Sequence, residues 1–259
     1  MSDSYSPAIT AVDVRKSFGD NVVLDGLDLS VERGSVFALL GPNGAGKTTT
    51  LRMLAGLIAP DSGTVTISGR EYAALTSPSR DAGVVLEAAG FHPGRSGRDH
   101  LRVYCTADGY PLRRADEVQE ITRLAAAGRR KVRGYSLGMR QRLALATALL
   151  GDPAALILDE PANGLDPEGT AWLRGLLRDY ARSGRTVLYS SHALGEVEQL
   201  ADHVVIVSNG RLVHHGTLAG LTGGQGGLEE RFLALTSRPA GSAGCAGSGG
   251  SGGSSEARS

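Results

Sequence analysis

Eight consecutive residues, Gly41-Pro42-Asn43-Gly44-Ala45-Gly46-Lys47-Thr48, set out a glycine, four intervening residues and then Gly-Lys-Thr. Glycines so spaced let successive backbone N–H groups turn inward and cradle phosphate oxygens. Lys47 then extends a cation toward the β- and γ-phosphates, the Thr48 hydroxyl is a ligand for magnesium, and Thr49 can donate to an α-phosphate. The complement comes later, in Ala155-Leu156-Ile157-Leu158-Asp159-Glu160-Pro161, where an apolar run ends in adjacent carboxylates. Asp159 is expected to hold magnesium, directly or through water, and Glu160 to orient and polarise an attacking water. The carboxylate pair alone might merely start a loop, whereas the glycine loop, with a strand before it and a helix after it, already points to a bound triphosphate. Together they describe a site for a nucleoside triphosphate.

Such groups must be delivered by strands. Ser35–Leu40 is a continuous apolar strand leading into the glycine loop, and Lys47–Leu57 has the composition of a helix whose N-terminus adds partial positive charge. Ala155–Leu158 carries Asp159 to the C-terminal edge of a sheet, where ligands sit in open α/β folds. Further strands are expected at Gly83–Leu86, Thr186–Ser190 and Val204–Val207, with a helix over Pro167–Arg182 that starts on a favourable proline. Ahead of these, Val12–Val14, Val22–Leu24 and Leu27–Val31 read as short strands joined by the turn Gly19-Asp20-Asn21. Helical patterning dominates from Asp99 to Leu150, over Asp99–Thr106, Ala115–Ala126 and Leu137–Leu150. The fold class is therefore α/β: a phosphate-loop core with a mainly parallel sheet, an N-terminal antiparallel β subdomain and an inserted helical subdomain over about residues 88–150. The domain is expected over 8–236. Residues 237–259 are Gly, Ser and Ala with almost no apolar side chains, and read as a disordered tail.

The segment Tyr135-Ser136-Leu137-Gly138-Met139-Arg140-Gln141-Arg142 resembles the signature of ABC ATPases, in a spelling common among bacterial exporter subunits. The order of motifs matches that family: phosphate loop, helical insert, signature, then Leu-Asp-Glu-Pro. Asn163-Gly164-Leu165-Asp166 resembles the family's dimer-contact loop, His192 its switch histidine, and Phe18 the aromatic that stacks on adenine. The resemblance covers roughly residues 8 to 220. It implies hydrolysis of ATP with magnesium, by a subunit that pairs head-to-tail with a second nucleotide-binding domain. Ser136 and Gly138 of one subunit would meet the γ-phosphate bound by the other, and an integral membrane permease would use the motion. The subunit is then expected in the cytoplasm, peripheral on the inner face of the cell membrane. Where most of the family has glutamine this chain has Glu87, a carboxylate that could still reach magnesium. Gly90-Phe91-His92-Pro93 and Ser96-Gly97-Arg98-Asp99 resemble the antibiotic-export branch, where an acidic residue is usual at that position.

Bulk properties narrow the partners. The 27 Lys and Arg balance 27 Asp and Glu, so the chain lacks the basic excess of a nucleic-acid binder. The run Arg129-Arg130-Lys131-Val132-Arg133 is read as a solvated basic face beside the signature. Cys105 and Cys245 have no metal or redox spacing and suit a reducing compartment. No apolar run approaches the ~20 residues of a membrane helix, and no secretory leader is visible at the N-terminus. His214 and His215 are read as edge-strand residues, Trp172 and Tyr180 as core or interface, and Cys105 as a buried small hydrophobe. The other class weighed, an ABC ATPase acting on DNA or the ribosome, usually carries a long coiled-coil insertion or a second cassette. Neither feature is present.

Overall fold

All five residues of Val36–Leu40 are buried, and they divide between two cores. Phe37 and Leu39 enter one, while Val36, Ala38 and Leu40 enter the other. A strand apolar on both sides needs a sheet covered on both faces. The computed structural model describes residues 6–86, 90–223 and 227–237 of the 259. It shows a six-stranded sheet and a separate three-stranded one.

The chain opens with strands β1 (Ile9–Phe18) and β2 (Asn21–Val31), an antiparallel hairpin that turns at Gly19-Asp20. The short strands expected from sequence are thus parts of two long ones, interrupted by register shifts between Ala11 and Val14. Strand β3 (Val36–Leu40) runs through the glycine loop into helix α1 (Lys47–Leu54). Strand β4 (Ser62–Ile67), which the sequence reading did not find, joins β1 to complete the sheet β2-β1-β4. Its alternation is masked by the small residues Ser62, Gly63 and Thr64, all exposed, ahead of Val65.

After helix α2 (Pro78–Asp81) and strand β5 (Ala82–Val85) come the inserted helices α3 (Gly97–Ala107), α4 (Arg113–Ile121) and α5 (Leu137–Ala148). Strand β6 (Ala155–Leu158), helix α6 (Pro167–Arg182) and strand β7 (Thr186–Ser190) follow, at the bounds expected. Helix α7 (Leu194–Leu200), strands β8 (His203–Ser208) and β9 (Arg211–Thr217), and helices α8 (Leu218–Thr222) and α9 (Leu228–Thr236) complete the described chain. The large sheet has the order β5-β6-β7-β3-β8-β9, parallel except for the edge strand β9.

Three helices stop earlier than their composition suggested, α5 by only two residues. Helix α1 ends in a turn where Leu57 N–H bonds to Arg52 O and Gly56 N–H to Met53 O, with Gly56 at φ +68°. That is a glycine-dependent C-terminal motif. Helix α4 ends at Ile121 because Thr122 turns its hydroxyl back onto Val118 O and Arg123 adopts φ +56°. The inserted helices share the core of the sheet: Leu101, Val118 and Leu143 belong to the cluster that holds Leu156 and Val187. Cys105, Tyr180 and the edge-strand histidines lie where expected.

His100 of α3 is buried, edge-on to Phe91 and with Nε2 3.2 Å from Thr147 Oγ1. Burial, helped by the charge of Arg95, pulls its pKa down from 6.5 to about 4. A folded-state pKa below the unfolded one means that stability is complete above pH 6.5 and is lost as pH falls toward 4. The full shift corresponds to roughly 3 kcal/mol. The melting temperature should therefore fall between pH 7 and pH 5, and less so in His100→Gln, which cannot titrate. An equal fall in both proteins would show that His100 does not control this acid limb.

Candidate functional site

The order of the large sheet puts β7 between β3 and β6. Three strand ends therefore converge: the glycine loop after β3, Asp159-Glu160 after β6, and Ser190 closing β7. The glycine loop is held by close contacts as well as by conformation. Gly46 has φ +101°, and a Cβ there would lie 2.5 Å from Leu24 Cδ2. As N-cap of α1 it offers no side chain to the first-turn N–H groups, so that end of the helix is left open to an external acceptor. Lys47 Nζ donates to the carbonyls of Gly41 (2.7 Å) and Pro42 (3.2 Å), within its own loop. Partial burial holds this ammonium's pKa below its ordinary value, while the charges of Glu160 and Asp159 pull the other way.

The Asp159 carboxylate and the backbone of Glu160 are fixed by a residue that the sequence reading missed. Ser190 Oγ donates to Asp159 Oδ1 (2.5 Å) and accepts from the backbone N–H of Glu160 (2.9 Å). The other oxygen of Asp159 accepts from Thr48 Oγ1 at 2.8 Å. Glu160 sits at φ +47°, a left-handed conformation that costs about 1–3 kcal/mol in a non-glycine residue. The Ser190 bond to its N–H is part of what keeps it there. His192 Nδ1 lies 2.8 Å from Glu160 Oε2.

Lys47, Thr48, Asp159 and Glu160 line one cleft of about 880 Å³, with Phe18, half exposed, on its wall. Asn43, Gly44, Ala45 and Thr49 also line it. Ser136 and Gly138 do not. They line a second groove of about 590 Å³ together with Gly164 and Asp166, and Leu137 forms part of both walls. Ser136 caps α5, its hydroxyl accepting from Met139 N–H at 3.2 Å. Among the described residues no group of three or more His, Cys, Asp or Glu could hold a metal. Thr48 and Asp159 are instead a pair of hard oxygen donors. That set suits a magnesium ion that keeps water and takes its remaining ligands from phosphates. Glu87 lies outside the described residues.

An open helix end behind a glycine loop, a lysine, a hydroxyl and two carboxylates at parallel strand ends define a phosphate-loop nucleoside triphosphatase. Residues 24–163 match the ABC transporter family. The chain belongs to that family, in which it is an ATP-binding, ATP-hydrolysing subunit. It is 41% identical over 225 residues to the daunorubicin resistance ATP-binding protein DrrA3 of Streptomyces coeruleorubidus, a match covering 85% of this chain and 71% of the relative. It is 42% identical over 211 residues to the bacitracin transport ATP-binding protein BcrA of Bacillus licheniformis, covering 80% and 69%. A solved ATP-binding subunit of an ABC transporter superposes with a TM-score of 0.80 at 29% identity, covering 88% of this chain and 99% of that one.

Proposed function

We propose that this chain is the ATPase of an exporter for a drug or antibiotic-like compound, working as a head-to-tail pair beneath a separate membrane permease on the inner face of the cell membrane. The observation that carries the pairing is the separation of the two pockets. The Ser136-capped end of α5 faces a groove apart from the chain's own phosphate cleft, so an anion for it must come from elsewhere. A second copy, with ATP in its own cleft, supplies that anion, and two such contacts close a two-fold dimer. Hydrolysis then leaves charged products between the halves and releases them.

Within each cleft, the loop Gly41–Thr49 and Lys47 hold the phosphates, and Phe18 stacks on the adenine. Thr48 and Asp159 would hold a magnesium ion, which would supply positive charge beside the phosphates. Glu160 takes the proton of the attacking water, and His192, bonded to Glu160, helps place that water. Drug and bacitracin relatives support export as the direction. Among the described residues no helix is long and apolar enough to cross a membrane. Isolation of the tagged chain from mild detergent should bring down an apolar multi-span protein. Recovery with RNA or DNA in its place would overturn the transport reading.

The working domain is proposed to end near residue 236, leaving 237–259 as a tail outside it. Removing 238–259 should leave melting temperature and ATPase rate almost unchanged. A clear fall in either would mean that the tail docks on the domain.

A further inference from the structure

Two cations line the phosphate cleft in very different states. Lys47 is satisfied by the carbonyls of its own loop. Arg140 is not: its Nε is buried without an acceptor, and among the described residues no hydrogen bond, ion pair or ring contact reaches its guanidinium. Its neighbour on the same helix, Arg142, rests 4.7 Å from the ring of Trp172. Arg140 also stands early in α5, where the helix's own partial positive charge opposes a cation and no acidic residue in the first turn offsets it. A guanidinium with no protein partner, on the wall of the phosphate cleft and beside the positive end of a helix, is free to take up an anion there.

The position of α5 says where that anion must lie. Its first turn packs on the loop after Glu160, so closely that a Cβ on Gly138 would lie 2.9 Å from Gly164 O. Arg140 therefore enters the cleft from the side on which Glu160 and Asn163 stand. We infer that Arg140 binds the terminal phosphate of the nucleotide held in the chain's own cleft, and so distinguishes a nucleoside triphosphate from a diphosphate. This rests on the reading of that cleft as the ATP site. Helix α5 then touches the nucleotide of its own subunit through Arg140 and offers its capped end to that of the partner.

The test is calorimetric titration with adenylyl imidodiphosphate and with ADP, at protein concentrations where the chain elutes as a monomer. Arg140→Gln should weaken the triphosphate analogue at least about tenfold, the worth of a hydrogen bond to a charged group. ADP affinity should change by less than about twofold, and Arg140→Lys should recover much of the loss, since it restores the charge. Without nucleotide the variant should melt no lower than the parent, because the guanidinium has no protein partner to lose. Equal weakening of both nucleotides, unchanged affinity for both, or a lower melting temperature without nucleotide would each overturn the assignment. A parent protein that bound neither nucleotide would remove the cleft reading itself, and the proposal with it.

Discussion

Glu160→Gln is expected to bind ATP as the parent does and to turn it over roughly 10²–10⁴-fold more slowly, the usual worth of a positioned base. The substitution keeps the length and shape of the side chain and removes its ability to take a proton. It leaves the local backbone alone, because the Ser190 hydroxyl grips the Glu160 N–H and not its carboxylate. Asp159 keeps both its partners, Thr48 and Ser190, so the proposed magnesium site survives. Binding and chemistry should therefore separate, and the variant should accumulate as an ATP-bound dimer on size exclusion. Near-parental hydrolysis by the purified variant would show that another group activates the water.

Gly138→Asp is expected to abolish ATP-dependent pairing while leaving nucleotide binding by the monomer intact. The new carboxylate would stand at the helix end where the partner's γ-phosphate must arrive, adding like-charge repulsion to bulk. Gly138 is also tightly placed, since an added Cβ would approach Gly164 O to 2.9 Å. Gly138→Ala makes that contact without the charge, so it isolates the steric part and should impair pairing less. The stronger test is complementation with Lys47→Ala. In the mixed pair one composite site carries both defects and the other carries neither, and the intact one should close on ATP. The readout is crosslinked heterodimer, with each variant alone as control. If Gly138→Asp alone pairs as readily as the parent, the signature does not face the partner's nucleotide.

Much of the site was legible because its chemistry is local. The cradle, the lysine and the hydroxyl occupy adjacent positions, and the loop geometry that they need is written in the glycines among them. The carboxylates were legible for a similar reason, since the apolar run Ala155–Leu158 can only be a buried strand and must end where Asp159 begins. Ser190 was not legible. Its role depends on β7 lying between β3 and β6, and strand order is set by packing across the whole sheet. Arg140 escaped for the converse reason. Its residue type is common on helix surfaces, and only its place on the cleft wall without a partner sets it apart. Strand β4 was hidden by its small exposed residues, and the early end of α4 by a threonine and an arginine, neither of which usually stops a helix.

Leu137 is a party wall. It borders the chain's own phosphate cleft and also the groove proposed to receive a partner's nucleotide. In a symmetric pair a single change at this position is felt in every nucleotide site, from both sides at once. Selection cannot tune the grip on one's own ATP there without altering the reception given to the partner's. Among the described residues that line the cleft, Leu137 alone also lines the groove, and so ties tenant and host to the same side chain.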